Sequence, residues 1–262
     1  MKKILSVLLA VTLCASMCLT GCQKSEKSEK DSKDSGTEKE LVDVKLNEVA
    51  HSIFYAPQYV AIEEGYFTKE GIRLECVTGF GADKTMTAVL SGDADIGFMG
   101  AEASVYAYQE GANDAVVNFA QLTQRAGNFL VARKEMPDFK WSDLKGKDIL
   151  GGRAGGMPEM VFEYILKQNG LDPQKDMNID QSIDFGSTAA AFSGGQGDFT
   201  VEFEPSATAL EKEGAGYVVA SCGVDSGYVP YTAYSAKKSF MEKKIRRSFK
   251  DLSMPCKRVW TM

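Results

Sequence analysis

The sequence is poor in the residues from which metal and catalytic sites are built. It has a single histidine, His51, and its six cysteines form no Cys-x-x-Cys pair. Zinc sites need closely spaced cysteine and histidine ligands, so no metal site is predicted. Neither a Ser-His-Asp grouping nor a phosphate-binding loop accompanies His51, and a lone histidine at a strand end is more often a structural hydrogen-bond donor. We therefore predict no catalytic residue and no cofactor.

Two further absences exclude whole classes of partner and structure. There are 30 basic against 36 acidic residues, and no basic face carries interleaved aromatic side chains. Nucleic acid is therefore not an expected partner. Cysteines are too few for a disulfide framework once those near the N-terminus are set aside. Cys76 and Cys222 each lie in strand-like apolar surroundings, which predicts two buried thiols.

The N-terminus has the pattern of an export signal. Lys2 and Lys3 precede an apolar run, residues 4–18, that is too short for a membrane-spanning helix. The run leads to Leu19-Thr20-Gly21-Cys22, which resembles the lipobox of bacterial lipoproteins. The resemblance implies a signal peptide over residues 1–21 and a lipid on Cys22, which would anchor the chain to the extracytoplasmic face of the cell membrane. The alternative is an ordinary signal peptide with a chance cysteine.

A polar segment follows. Residues 23–40 are mostly lysine, serine, glutamate and aspartate, with no aliphatic side chain before Leu41. Such a composition cannot bury enough apolar surface to order a chain, so residues 22–40 are predicted to form a disordered linker that begins at the lipidated cysteine.

Strand and helix patterns alternate in the remaining chain, which predicts an α/β fold with mostly parallel sheets. The predicted strands are residues 42–49, 72–77, 96–99, 116–122, 148–151, 199–203 and 217–220, and the predicted helices are residues 56–64, 82–90, 101–109, 158–168, 188–192 and 205–213. Two such sets, joined near residues 123–133, indicate two lobes. Because ligands bind beyond the carboxyl ends of the strands in open α/β sheets, we expect a site in the cleft between them.

Small-residue turns stand at four of these strand ends, each before a helix. They are Ser52-Ile53-Phe54-Tyr55, Gly79-Phe80-Gly81, Gly100-Ala101-Glu102 and Gly155-Gly156-Met157. Glycine lets the backbone approach a ligand, and the free N–H groups of a helix N-terminus suit a polar or anionic group. Four such turns at equivalent points predict the ligand site.

The order of these motifs resembles a known family. Residues 52–57, then Glu64-Gly65-Tyr66-Phe67, the Gly92-Asp93-Ala94-Asp95-Ile96-Gly97 element and the segments 155–159 and 195–205 are similar to the substrate-binding lipoproteins of ABC importers that handle nitrate, sulfonates, taurine and thiamine-pyrimidine precursors. The resemblance implies a two-lobed, type II periplasmic-binding-protein-like fold, a monomer that closes on a small molecule and an ABC permease as partner. Lobe 1 would comprise residues 41–125 and 230–242, and lobe 2 residues 126–229.

Aromatic and acidic residues near the cleft indicate the ligand class. The predicted ligand-binding residues are Ser52, Phe54, Tyr55, Gly79, Gly81, Gly100, Ala101, Glu102, Gly155, Gly156, Met157, Glu202, Glu204, Tyr228 and Tyr231. Phenylalanine and tyrosine suit stacking on a flat ring, and Glu202 and Glu204 share a strand face where a carboxylate could accept hydrogen bonds from an aminopyrimidine. We predict a small nitrogen heterocycle. The alternatives are solvated or lysine-paired glutamates, and an anion held by Arg153 or Arg125.

The C-terminus departs from the family pattern. From Lys237 onward the chain has nine basic and two acidic residues, against 21 and 34 before it. The family continues here with Asn-Pro-Glu and amphipathic helices that complete the first lobe, so residues 243–262 form an atypical basic tail. We interpret it as a frameshift or truncation near Lys243 that leaves part of lobe 1 missing and compromises that lobe. The alternative is a basic tail attracted to anionic lipid.

Two other functions remain open on the same fold. Some pyrimidine-forming enzymes share it, although the export signal and the lack of a catalytic grouping argue against one. A receptor or adhesion module is the third interpretation.

Overall fold

The computed structural model describes residues 41–184 and 186–245. The predicted signal peptide, the lipidation site at Cys22, the linker and the tail beyond residue 245 lie outside these ranges. In the part of the chain that is described, no helix has the length and apolar character needed to cross a membrane.

The first sheet has five strands in the order β2-β1-β3-β10-β4. Its strands are β1 (Val42–Glu48), β2 (Ile72–Thr78), β3 (Ile96–Gly100), β4 (Val116–Thr123) and β10 (Thr232–Lys237). The last of these comes from the far end of the described chain, so the sheet is completed only after the chain has built the second one.

The second sheet has the order β7-β6-β8-β5-β9. Its strands are β5 (Asn128–Ala132), β6 (Asp148–Leu150), β7 (Asn178–Asp180), β8 (Phe199–Phe203) and β9 (Tyr217–Ser221). The chain passes between the sheets twice, from β4 to β5 and from β9 to β10.

Both sheets are mixed, so the prediction of mostly parallel sheets is wrong. β1 pairs in parallel with β2 and β3, and β6 with β7 and β8. β10 runs antiparallel to both β3 and β4, and β5 antiparallel to both β8 and β9. The chain enters the second sheet from the first at β5, and it returns to the first sheet at β10. These two strands are the ones that run antiparallel to their neighbours. The segment 123–133, expected only to join the two sets, thus contains a central strand.

Helices cover the sheets. They are α1 (Ala56–Glu63), α2 (Tyr66–Lys69), α3 (Ala82–Ser91), α4 (Glu102–Gln109), α5 (Met157–Gln168), α6 (Thr188–Ser193), α7 (Ser206–Lys212), α8 (Cys222–Asp225) and α9 (Lys238–Phe240). Two 3-10 turns (Ile53–Tyr55 and Trp141–Leu144) and a π-helical turn (Met241–Ile245) complete the described elements. The helices predicted from apolar periodicity and glycine stops are present, with ends within about two residues of those expected.

Each sheet buries both of its faces. Phe98 and Met99 are adjacent in β3 but belong to different apolar clusters, and Leu130 and Val131 do the same in β5. Successive side chains of a strand point to opposite faces, so this separation means that apolar layers lie on both sides. The result is two three-layer α/β assemblies, whose strand ends meet at the cleft described next.

The two cysteines in the described ranges are free thiols, but only Cys222 is buried as predicted, whereas Cys76 is half-buried. Cys222 is fully buried, and burial raises the pKa of its thiol to about 12. A thiol held in its neutral form by an apolar environment behaves as a small core residue rather than as a nucleophile.

Candidate functional site

A cleft of about 350 Å³ lies where elements of the two sheets face each other. Nine of the predicted ligand-binding residues line it: Ser52, Tyr55, Gly81, Gly100, Glu102, Gly155, Gly156, Met157 and Tyr231. The volume is within the range of small-molecule sites, which begins at about 300 Å³.

Two helices extend the lining away from the strand ends. Asp83, Met86 and Leu90 of α3 line the cleft, as do Tyr106 of α4 and Glu110 just after it, which follow Glu102 at intervals of four residues. Residues three and four apart share a helix face, so each helix presents one continuous stripe to the cleft. The stripe of α3 and the alanines of α4 make this part of the wall largely apolar.

Glu102 is the first residue of α4 and joins the two sides of the cleft. Its side chain is 8% exposed, and its Oε1 atom accepts a hydrogen bond of 2.9 Å from the backbone N–H of Met157, at the start of α5. The carboxylate lies against the backbone of Gly100, where a Cβ atom would come within 2.1 Å of Oε2. Glycine at this position is what allows the carboxylate to turn toward α5.

The environment of Glu102 favours its neutral form. Burial raises the pKa of the carboxyl group to about 7, although hydrogen bonds from the backbone of Glu102 itself and of Met157 oppose the shift. A carboxyl group with this pKa changes its charge near neutral pH, and such groups in clefts are candidates for functional residues.

Three more contacts bridge the cleft. The Ser52 hydroxyl donates to the Glu204 carbonyl oxygen over 3.0 Å, and the Tyr106 hydroxyl lies 3.5 Å from the Met160 sulfur. Arg153 forms an ion pair with Asp83 of α3. Burial acts to raise the pKa of Asp83, but hydrogen bonding and charge from Arg153 outweigh it and leave the pKa below its ordinary value. Together with the Glu102–Met157 hydrogen bond, these contacts hold the two sides of the cleft together.

Aromatic rings form the inner end of the cleft. Tyr55, Phe203 and Tyr231 line it, and Phe54 packs behind them with ring centroids 5.7 Å from those of both Phe203 and Tyr231. Tyr55 also hydrogen-bonds the side chain of Thr232, and burial raises its pKa above the ordinary value. The rings that a ligand would meet are thus fixed by packing and by a hydrogen bond.

The loop before α5 is shaped by a second buried glutamate. Glu159 accepts hydrogen bonds from the Gly155 N–H at 2.9 Å and from the Gln181 side chain at 2.6 Å. Burial raises the pKa of Glu159. This carboxyl group fixes the turn that brings the Met157 N–H to Glu102.

Behind the cleft a buried carboxylate holds the Ile53–Tyr55 turn. Glu48, at the end of β1, accepts hydrogen bonds from His51, Gln58, Tyr59 and Thr78. The Tyr59 hydroxyl in turn accepts the Ser52 N–H at 3.1 Å. His51 therefore has a structural partner, and its ring belongs to this network rather than to the lining.

Three predicted residues lie outside the lining. Glu202 is buried and accepts a hydrogen bond of 2.8 Å from Thr200, and Thr188 also bonds it. Glu204 follows the last residue of β8, and its carboxylate accepts from the N–H and hydroxyl groups of Thr208. The two glutamates therefore do not share a strand face, and threonines rather than lysines are their partners.

Tyr228 is the third. It is 73% exposed, and the Arg125 guanidinium stacks on its ring at 4.4 Å. Arg125 also donates to the Gly223 carbonyl oxygen, so neither residue faces the cleft.

Three further predicted residues lie beside the lining rather than in it. Phe54 supports the aromatic end, and its ring leaves no room for a Cβ atom at Gly127. Gly79 follows β2 and packs against the side chains of Asn47 and Thr85. The carbonyl group of Ala101 accepts hydrogen bonds from Ser104 and Asn118.

Sequence reasoning missed several lining residues, notably Tyr106, Glu110 and Phe203. A usable signal existed for the first two, because they follow Glu102 at helical spacing on a helix that was predicted. Phe203 carried no signal of its own, because the strand pattern does not show which face turns to the other sheet. The sequence offers Arg153 only as an alternative anion-binding residue, whereas the structure pairs it with Asp83.

In the described ranges no three histidine, cysteine, aspartate or glutamate side chains come together as a metal site would require. The cleft instead offers a carboxylate, hydroxyl groups, backbone N–H groups and aromatic rings. This combination suits reversible binding of a small polar molecule with a flat apolar part.

Similarity to known proteins agrees with this geometry. The model of the family described as NMT1/THI5-like matches residues 53–245, about three quarters of the chain. The chain belongs to the NMT1/THI5-like family. The resemblance carried by the sequence motifs is thereby confirmed.

Among curated relatives of this NMT1/THI5-like chain is "Putative binding protein YtlA" of Bacillus subtilis (strain 168), 51% identical over 206 residues. The match covers 79% of this chain and 62% of the relative, so the chain spans less than two thirds of that protein's length.

Solved structures share the fold of this family member. The nitrate-binding protein NrtA of Synechocystis PCC 6803 superimposes with a TM-score of 0.69 at 17% sequence identity. The match covers 85% of this chain and 62% of the NrtA chain. The aliphatic sulphonate-binding protein SsuA of Escherichia coli superimposes with a TM-score of 0.64 at 16% sequence identity. That match covers 84% of this chain and 74% of the SsuA chain. The two-lobed binding-protein fold predicted from the sequence is confirmed, and these relatives and neighbours bear the names of binding proteins rather than enzymes.

Proposed function

We propose that this chain is an extracytoplasmic solute-binding protein that captures a small nitrogen heterocycle, such as a thiamine-type pyrimidine, and delivers it to an ABC permease. The observation that carries the proposal is the cleft, which is lined from both sheets and bridged by the Glu102–Met157 hydrogen bond. Membership of the NMT1/THI5-like family supports it.

The proposal divides the described chain along its two sheets. Lobe 1 comprises residues 41–125 and 230–242, and lobe 2 comprises residues 126–229. The lobes open about the two crossings, β4 to β5 and β9 to β10, and close on the ligand. In such a hinge movement the ligand shifts an existing equilibrium toward the closed form.

A lipid on Cys22 would hold the protein at the outer face of the cell membrane, as a monomer that reaches its permease there. This part of the proposal rests on the sequence motif at residues 19–22. Mass spectrometry of the protein recovered from membranes tests it directly, because acylation at Cys22 adds a defined mass to the N-terminal peptide.

The ligand class is argued from the lining. Tyr55, Phe203 and Tyr231 offer aromatic faces, and Glu102 offers a carboxyl group that can accept hydrogen bonds from an amino substituent. Nitrate, taurine or another sulfonate is the second candidate, since NrtA and SsuA share the fold and Arg153 lines the cleft. The pairing of Arg153 with Asp83 weighs against it.

Thermal unfolding of the full chain against both classes tests the proposal. The panel contains 4-amino-2-methylpyrimidine, nitrate, taurine and ethanesulfonate. A ligand present at 100 times its Kd adds about 2.7 kcal/mol to the free energy of unfolding, which raises Tm measurably. We expect the pyrimidine to raise Tm. A cooperative transition that none of the four compounds shifts would contradict a solute-binding role for this cleft.

A further inference from the structure

Buried polar atoms without a partner gather at one end of the cleft. In residues 41–184 and 186–245 these atoms are Glu102 Oε2, Thr123 Oγ1 and Asn128 Nδ2. Thr232 pairs with Thr123 on one side and on the other with Gly100, two residues before Glu102, and the Tyr231 hydroxyl lies 3.5 Å from the Asn128 side-chain oxygen. Buried polar atoms are normally satisfied, so unpaired ones near a cleft indicate a missing partner.

Glu102 is the member of this group that lines the cleft, whereas Thr123 and Asn128 do not. Its other oxygen, Oε1, is already held by the Met157 N–H, and Gly100 packs against the carboxylate. The free oxygen is therefore fixed in position and can act only as an acceptor when the group is ionised.

We infer that Glu102 is the specificity-determining residue of the cleft, and that the ligand donates an N–H group to its Oε2 atom. This inference rests on the proposed function and narrows the ligand to amino heterocycles and amines. The aromatic end, formed by Tyr55, Phe203 and Tyr231, would contact the flat part of the same molecule.

The same arrangement disfavours anions. Once Glu102 is ionised, an anion would have to approach its negative charge in a largely buried site, where like charges are poorly screened. Arg153 is the cationic side chain in the lining, and Asp83 already neutralises it. Specificity would thus arise partly from exclusion, because a ligand with only acceptors leaves the Oε2 atom of the ionised carboxylate unpaired.

Closure and recognition would share this one carboxylate. Oε1 links lobe 1 to the start of α5, and Oε2 would take the ligand N–H. A donor on Oε2 stabilises the ionised form, which is also the stronger acceptor for the Met157 N–H. A bound amine or amino heterocycle would therefore strengthen the contact that keeps the cleft closed.

A matched pair of probes tests this inference on the full chain. 4-Amino-2-methylpyrimidine and 2-methylpyrimidine differ only by the amino group, and isothermal titration gives a Kd for each. A charge-assisted hydrogen bond is worth about tenfold or more in Kd, so we expect the wild-type protein to prefer the amino compound by at least that factor. Equal affinity for the two pyrimidines, or tighter binding of nitrate, taurine or ethanesulfonate, would overturn the inference and leave a solute-binding function standing.

Two variants locate the effect. Glu102→Gln presents an amide in place of the carboxylate, and we expect it to lose most of the preference for the amino group. Glu63→Gln removes an exposed charge at the end of α1, outside the cleft lining, and should keep that preference. A preference retained in Glu102→Gln, with a cooperative melt, would contradict the role of Glu102. Binding of no probe at all would instead overturn the proposed function itself, and the wild-type comparison remains decisive even if a variant does not fold.

Discussion

At the scale of single residues, Glu102 makes the stability of the protein depend on pH. Burial raises the pKa of this carboxyl group from 4.5 to about 7. The folded state therefore binds its proton more tightly than the unfolded state does, and the stability from this group is present below pH 4.5 and lost as the pH rises through 7. We expect the free energy of unfolding to fall by up to about 3 kcal/mol between pH 4 and pH 8, relative to Glu102→Gln.

Urea unfolding of both proteins across this pH range measures the difference. Burial raises the pKa values of Glu159 and Glu202 as well, but both groups are present in the two proteins, so their effects cancel in the comparison. Parallel pH profiles would show that Glu102 has an ordinary pKa in the folded protein.

The roles of the glutamates also show what a sequence can predict about a site. Glu102 was predicted because it follows a strand and begins a helix, and those two facts place it at the cleft. Glu202 and Glu204 were grouped by their spacing of two. Spacing does not reveal that Thr200, Thr188 and Thr208 hold these two carboxyl groups away from the cleft.

At the scale of elements, Glu204 acts as a cap for α7. Its carboxylate accepts the Thr208 N–H at 3.1 Å and the Thr208 hydroxyl at 2.8 Å, within the first turn of the helix. Removing a side-chain acceptor from a helix N-terminus costs about 1 kcal/mol. We expect Glu204→Ala to lower the free energy of urea unfolding by that amount and to leave the Kd of 4-amino-2-methylpyrimidine unchanged. Weaker binding of the pyrimidine with unchanged stability would contradict the capping role and indicate that Glu204 contacts the ligand.

The elements themselves were predictable where their periodicity was long enough. Helices α3 and α5 carry apolar residues at helical spacing and are followed within two residues by Gly92 and Gly170, so the sequence indicates where they end. Strand β7 has only three residues, too few to show a period of two. The sequence pattern predicts only a connection where β5 lies, between the two repeating sets, because the pairing of β5 with β8 and β9 depends on residues far along the chain.

At the scale of the whole molecule, the order of the strands determines where the cleft can form. β5 and β10 each enter a sheet beside a parallel pair, and the two crossings bring Thr123, Asn128 and Thr232 to the same end of the cleft. Long-range pairing of this kind leaves no local sequence signal. The two-lobed fold could be predicted because the motif order resembles a family, whereas the mixed sheets and the cross-cleft contacts required the structure.

The ion pair between Arg153 and Asp83 should shift the protein between its open and closed forms. The two side chains are 43% and 50% exposed, so the pair is worth at most about 1 kcal/mol, which corresponds to about a fivefold change in Kd. We expect Arg153→Gln and Asp83→Asn each to enlarge the radius of gyration of the unliganded protein in X-ray scattering and to weaken binding of 4-amino-2-methylpyrimidine to that extent. The double variant should resemble either single variant, because the second change removes an interaction that is already lost.

Salt dependence gives a second measure of the same ion pair. Raising the ionic strength from about 0.05 to about 0.5 M should weaken ligand binding by the wild type to nearly the affinity of the variants, since salt screens exposed charges. Ligand binding by the variants should change little. Additive effects in the double variant would show that the two side chains act separately, and closure would then depend on the Glu102–Met157 and Ser52–Glu204 hydrogen bonds.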